Sequence, residues 1–262
     1  MLTRRLLLTA AAAFALPAFA ESAALAACIA SPTRSPKNIA RDKYRHPAAM
    51  LEFFGLRDNL AVLEIQPGGG YWTEILAPYL DAHGTYRVAV PPAPAPEQAM
   101  RAAYLKKLQS NPAYGHVLVT DWTDTTPLAP PDSQDLILSF RNLHDWMADG
   151  SAGAKLAAIY AALKPGGVFG IEDHRGLTTI PQDPRAKSGY VREDYAKALI
   201  EHAGFHLAAE TAIGNNPRDT KDYPKGVWTL PPTLALGTVD RAKYLAIGES
   251  DRWTMKFTKP AA

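Results

Sequence analysis

A five-residue run, Ala61-Val62-Leu63-Glu64-Ile65, leads into Gln66-Pro67-Gly68-Gly69-Gly70, and a helix-competent segment from Tyr71 to Leu80 follows at once. A continuous apolar run bounded by turn residues is the pattern of a strand buried on both faces, as in a parallel sheet. The glycines permit positive φ in a tight strand-to-helix turn and leave no Cβ between main chain and ligand. Such a turn gathers free backbone N–H groups and the positive end of a helix dipole at one place, which suits a carboxylate or phosphate. A sharp turn with no ligand has the same glycines, so the rest of the chain must decide.

The pattern of alternation continues along the sequence. Strands are expected at 61–65, 86–90, 116–119, 136–140, 168–171, 205–210 and 253–257. Helices are expected from Tyr71 to about Leu80, where Pro78 must bend or shorten the helix, and from Arg192 to Ala203, with Gly204 as the stop. Leu156, Ile159, Tyr160 and Leu163 fall at i, i+3, i+4 and i+7, the apolar stripe of an amphipathic helix. Ser35-Pro36 and His46-Pro47 open two further helices, with proline at the first helical position, and Gly55 ends the second after Phe54. The chain therefore reads as an α/β protein: a doubly wound, mostly parallel seven-stranded sheet over 56–262, with an N-terminal helical extension over 21–55. Ligands in such sheets bind beyond the carboxyl ends of the strands.

Three separated motifs carry a resemblance. Glu64-x-x-Pro67-Gly68-Gly69-Gly70 resembles the first motif of class I S-adenosylmethionine-dependent methyltransferases, with Gln66 standing where the first glycine usually is. Leu163-Lys164-Pro165-Gly166-Gly167-Val168 resembles the helix end before the fifth strand of that fold, and His202-Ala203-Gly204-Phe205 the corner before its sixth. Together with Arg41-Asp42-x-Tyr44-Arg45-His46-Pro47, the whole is similar to a group of exported methyltransferase-like proteins. The resemblance implies a Rossmann-like methyltransferase fold and S-adenosyl-L-methionine as cofactor. It implies that Glu64, Gly68, Gly69 and Gly70 cradle the amino-acid end of the donor. It also implies that Asp121 accepts from the adenine amino group while the backbone at Trp122 reads a ring nitrogen.

The carboxylate that takes the ribose hydroxyls in that family is missing after the second strand. Val88-Ala89-Val90 runs into Pro91-Pro92-Ala93-Pro94-Ala95-Pro96, a stiff segment without hydrogen-bonding side chains, and Glu97 is the nearest acid. After the fourth strand comes Arg141-Asn142-Leu143-His144-Asp145-Trp146, and after the fifth Glu172-Asp173-His174-Arg175. Asn142 is assigned to the cofactor site, and His144 and His174 are the candidate bases. A histidine near pKa 6.5 suits removal of a proton at neutral pH. The same Asp, Glu and His set could bind a divalent metal, but no i, i+3 or i, i+4 ligand pair supports this, and no metal is assigned. Tyr71 or Trp72 could meet the cationic sulfur through a cation–π contact.

Residues 1–20 read as a signal peptide: basic Arg4-Arg5, an apolar core from Leu6 to Leu16, and Ala18-Phe19-Ala20 as the cleavage site. The apolar core is too short to span a membrane. Arg4-Arg5 before leucines resembles a twin-arginine signal. Leu25-Ala26-Ala27-Cys28 resembles a lipoprotein box, with Cys28 as a lipid anchor, although Glu21 and Ser22 separate it from the apolar core. A soluble periplasmic protein beginning at Glu21 is expected. Cleavage there removes two of 28 basic residues and leaves 26 against 26 acidic, so no basic surplus points to nucleic acid. One cysteine allows no intrachain disulfide.

The expected activity is methyl transfer to a small molecule. Export complicates this, because the donor is made in the cytoplasm. Two other readings share the fold: a His- or metal-assisted hydrolase, and a non-enzymatic small-molecule-binding protein.

Overall fold

The computed structural model describes residues 23–92, 98–123 and 126–261. The signal-peptide segment and Ala93 to Glu97 of the proline-rich stretch lie outside the described residues. Seven strands form one sheet: β1 (Ala61–Ile65), β2 (Thr85–Val90), β3 (Leu118–Asp121), β4 (Gln134–Phe140), β5 (Leu163–His174), β6 (His206–Thr211) and β7 (Arg252–Thr258). Their order is β3-β2-β1-β4-β5-β7-β6. The first five run parallel, and β7 lies antiparallel between β5 and β6. This is the expected α/β architecture with a seven-stranded, mostly parallel sheet. The strand order reverses between β1 and β4, so the switch point falls where the glycine turn leaves β1.

Alternation along the strands sorts the interior into two layers. Leu63, Ile65, Ile137, Phe169, Ile171 and Phe257 pack on one face beneath α7 (Leu143–Asp149), α8 (Ala152–Ala162) and α9 (Glu193–His202). Val62, Val88, Leu136 and Leu138 pack on the other, against α1 (Ala23–Ile29), α4 (Pro47–Phe54) and α5 (Thr73–Leu80). Here α4 sits so close that a Cβ on Gly170 would lie 2.6 Å from the Phe54 ring.

The extension is α1, α2 (Pro36–Ile39), α3 (Asp42–Arg45) and α4. Gly55 ends α4 at φ +81, returning its N–H to the carbonyls of Leu51 and Glu52. A bidentate pair locks the extension internally: Arg34 Nη1 and Nη2 donate to Asp42 at 2.7 and 2.8 Å. The Tyr71 hydroxyl donates to the same carboxylate at 2.6 Å, tying the extension to the turn above α5. Ser35, at the N-cap position of α2, turns its side chain away from the helix and donates to Glu74 of α5 at 2.9 Å.

Three expectations are corrected. β3 starts two residues later than expected, because Gly115 and His116 form a turn, and it includes Asp121. β5 starts at Leu163, expected on the preceding helix but extended and paired with Gln134, and runs through Glu172, Asp173 and His174, which pair with Thr254, Trp253 and Arg252 of β7, so these residues end the strand rather than follow it. Five helices are additional: α6 (Gln98–Gln109), α7 and α10 (Arg241–Ile247) around the sheet, and α1 and α3 in the extension.

Candidate functional site

At the end of β1 the chain turns with Gln66 at φ +49, Gly68 at φ +56 and Gly70 at φ +75. Gln66 thus adopts the left-handed conformation that glycine enters without steric cost. Its side chain compensates: Oε1 accepts from the Trp146 indole N–H at 2.5 Å. Asn142 donates from Nδ2 to the Ile65 carbonyl at 3.0 Å and so fastens the end of β4 to the turn. Side chains at Gly68 and Gly69 would point into open space, whereas a Cβ at Gly70 would meet the Tyr104 ring at 2.9 Å. Lys107 caps the turn from below, donating to the carbonyls of Gly69 and Gly70 at 3.1 and 3.2 Å and to Glu74 at 2.6 Å. Tyr104 and Lys107 both come from α6.

A groove flanks the turn on two sides. One lobe, about 210 Å³, is walled by Val90, Pro91, Met100, Arg101, Tyr104 and Asp145. The other, about 150 Å³, is walled by Arg41, Arg45, Tyr71, Trp72, Phe140 and Arg141. Gln66, Pro67, Gly68 and Asn142 border both. The open glycines therefore lie between the two lobes.

Glu64 lies beneath the second lobe. Its carboxylate accepts from the Tyr86 hydroxyl, and Thr73 Oγ1 lies 3.5 Å away and 3.0 Å from the Tyr104 hydroxyl. Burial pushes Glu64 up to about 7, against the opposing pull of Tyr86 and Arg45. At neutral pH it is poised between a neutral acid and a buried carboxylate.

His144 and His174 come together, with ring centroids 5.1 Å apart. Asp173 joins them: His144 Nδ1 donates to its Oδ1 at 2.8 Å, and the backbone N–H groups of His144 and His174 donate to it at 3.0 and 2.7 Å. Burial disfavours the His144 cation, but Asp173 and then Asp145 outweigh this and raise its pKa. Burial and the positive groups His144, Arg141, Arg252 and Arg45 push His174 well below its ordinary value. His174 Nδ1 is hydrogen-bonded to Ser250 Oγ at 2.5 Å. Both imidazoles are buried, and of this group Asp145 reaches the groove wall, with Oδ1 3.4 Å from His144 Nε2. The strand pleat separates the two neighbouring carboxylates: Asp173 faces His144, while Glu172 faces Arg252 on the other side of the sheet.

Trp122 is a core residue: its indole is buried under the Lys155 ammonium, 3.9 Å from the ring centroid. Its backbone N–H donates to the Val90 carbonyl at 3.1 Å, so the sheet uses the donor expected to read a ring nitrogen. Asp121 is exposed and paired with Arg101 at the rim of the first lobe. Tyr71 is surrounded by the guanidiniums of Arg34, Arg41 and Arg45, at 5.4, 6.0 and 4.3 Å from its ring centroid. Trp72 stacks on Phe140 at 4.2 Å. These contacts, not a sulfonium, engage both rings. The signal for the arginine lobe was present in Arg41 and Arg45, four apart, but Arg141 and Arg252 join them only through the fold.

No protein-family model and no curated protein matches the sequence. Solved structures do match in fold. A SAM-dependent methyltransferase from Aquifex aeolicus is 15% identical with a TM-score of 0.57, over 84% of this chain and 93% of that one. SpnF, a [4+2]-cyclase, is 15% identical with a TM-score of 0.59, over 83% and 82%. Phosphoethanolamine N-methyltransferase 2 of Haemonchus contortus, solved in complex with S-adenosyl-L-methionine, is 16% identical with a TM-score of 0.53, over 83% of this chain and 53% of that one. The protein has the Rossmann-like fold of class I methyltransferases.

Proposed function

We propose that this protein is an exported S-adenosylmethionine-dependent methyltransferase acting on a small molecule. The observation that carries the reading is the open cradle at Gly68 and Gly69, set between two lobes at the switch point of the sheet. The SpnF structure shows that the fold also serves a cyclase, so fold alone does not assign the reaction.

The residues present fit the donor at its amino-acid end. Gly68 and Gly69 leave it room, and Asn142 fixes the wall beside it. At the ribose end the fit rests on contact with Val90, Pro91 and Met100, because the described residues of that lobe supply no acid at the end of β2. Asp121 and Arg101 stand at the rim. The donor supplies a methyl group on a positively charged sulfur. The protein holds the two reactants together, which contributes roughly 7–11 kcal/mol, and accepts the proton of the acceptor. Asp173 keeps the His144 proton on Nδ1 and leaves Nε2 facing Asp145, which borders the groove. In the neutral form of His144, Nε2 is the proton acceptor by way of Asp145. His174, neutral and bonded to Ser250, positions Asp173 through its backbone N–H.

The hydrolase alternative would place a cation among His144, Asp173 and His174, whose ligand atoms lie within 4.8 Å of one another. Burial first, and then His144, Arg141, Arg252 and Arg45, lower His174, and the positive charge of the three arginines opposes a metal ion there. Calorimetric titration of the protein, begun at Glu21, with S-adenosylmethionine and S-adenosylhomocysteine is the test. Binding of both is expected, and absence of both overturns the reading.

Export to the periplasm rests on the leader at 1–20. Cleavage before Glu21 leaves α1 whole, whereas cleavage before Cys28 would remove Leu25, which is buried in the core. Among the described residues no helix is long and apolar enough to cross a membrane. Mass spectrometry of the mature N-terminus is expected to begin at Glu21. A diacylglyceryl mass on Cys28 would establish the lipoprotein instead.

A further inference from the structure

The second lobe holds more positive charge than its own carboxylates cancel. Arg41 Nε contacts Glu249 at 2.6 Å, while Arg45 Nε stands 3.6 Å from the same carboxylate, beyond hydrogen-bond reach. Arg252 Nη1 lies 3.3 Å from Glu249 and 3.4 Å from Glu172. Arg141 is the third guanidinium that lines the lobe with Arg41 and Arg45, against one lining carboxylate, Glu64, while Arg252 and Glu249 border the neighbouring cavity. Burial and the neighbouring cations push Arg45 well below its usual range and lower Arg141. Burial alone would raise Glu249, but Arg45, Arg252 and Arg141 outweigh it and hold the carboxyl down to about 2.

The hydrogen-bond inventory points the same way. Arg41 Nη2, Arg45 Nε and Nη2, Arg141 Nε and the Trp72 indole N–H are buried donors without acceptors, and all four residues line this one lobe. Orphaned buried donors are costly, and five around one cavity share a natural partner: a group that only accepts. Carboxylate and phosphate are such groups, and the guanidinium fork suits both. The methyl donor as a whole brings no net negative charge. Its ammonium and carboxylate cancel, and its sulfonium leaves it a net cation.

We propose that the lobe formed by Arg41, Arg45 and Arg141 binds the carboxylate or phosphate of an anionic methyl acceptor. The identification as an acceptor rests on the methyltransferase reading; the anion site rests on the lobe itself. Charge and the orphaned donors both select against neutral and cationic acceptors.

The test is a calorimetric titration with inorganic phosphate, and separately with malonate, in the presence of saturating S-adenosylhomocysteine. Arg41 is partly exposed, so Arg41→Gln is the first variant, with Arg141→Gln as the second. At least one anion is expected to bind, tenfold or more weakly in either variant, with S-adenosylhomocysteine affinity held within threefold. Preference between the two anions tells phosphate from carboxylate. Absence of binding by both overturns the proposal. So does an equal loss of anion and S-adenosylhomocysteine affinity, which would give the lobe to the donor's own carboxylate. Arg41-dependent anion binding without any S-adenosylhomocysteine binding overturns the methyltransferase reading and leaves the anion site standing.

Discussion

The two lobes share one glycine turn and differ in almost everything else. In the first, the walls are Val90, Pro91, Met100 and Tyr104, and its guanidinium, Arg101, is already paired with Asp121. In the second, Arg41, Arg45 and Arg141 surround a smaller space with donors left over. A lobe without spare charge recognises shape and apolar area. A lobe with surplus charge recognises the sign of its ligand. If the second lobe takes the second reactant as proposed, the difference teaches that selectivity for it sits with the N-terminal extension, which contributes Arg41 and Arg45, rather than with the sheet alone.

Glu64 gives the largest expected effect, because it lies under the charged lobe. With its folded pKa at about 7, above the ordinary 4.5, it stabilises the fold most below pH 4.5 and loses that contribution as pH rises to 7. The difference is about 3 kcal/mol. Glu64→Gln keeps the size without the charge and is expected to flatten the pH dependence of thermal stability between pH 5 and 8. An unchanged slope would mean that the arginines fully compensate the carboxylate. Next comes Gly68→Val, which puts a branched side chain into the shared border of both lobes. S-adenosylhomocysteine binding by calorimetry should fall at least tenfold, about 1.4 kcal/mol, and the left-handed φ adds about 1–2 kcal/mol of instability. Equal affinity would move the donor site off the turn. The smallest change is expected at Gln66→Gly. Relief of positive φ offsets loss of the Trp146 bond, so chemical denaturation should shift by less than about 1 kcal/mol. A larger loss would show that the Gln66–Trp146 contact holds the partition in place.

Much of the sheet was legible because its strands are short apolar runs between Gly and Pro. β1 and α4 match their expected bounds, since Gln66-Pro67-Gly68 and Gly55 act locally. β3 slipped because it is an edge strand whose Leu118 and Val119 are exposed, so burial does not mark its limits. α6 escaped notice because it buries only Tyr104 and Leu108; four residues apart, they make too narrow a stripe to read. The position of His144 and His174 at neighbouring strand ends followed from topology. Their closure from solvent did not, because it depends on Tyr190, Trp228 and Ser250 from distant segments. The arginine lobe was the least legible, since Arg41, Arg141 and Arg252 are brought together by packing alone.

The antiparallel placement of β7 has a consequence for the order of assembly. This strand fills a slot between two strands that precede it in the chain, so β5 and β6 must wait with open edges while the ribosome makes some forty further residues after Thr211. Contacts this far apart in sequence form slowly. Arg252, the first residue of β7, also ties Glu172 to Glu249, the carboxylate that Arg41 contacts. The chain can therefore build its glycine turn early, but Arg252 meets Glu172 and Glu249 only when β7 docks.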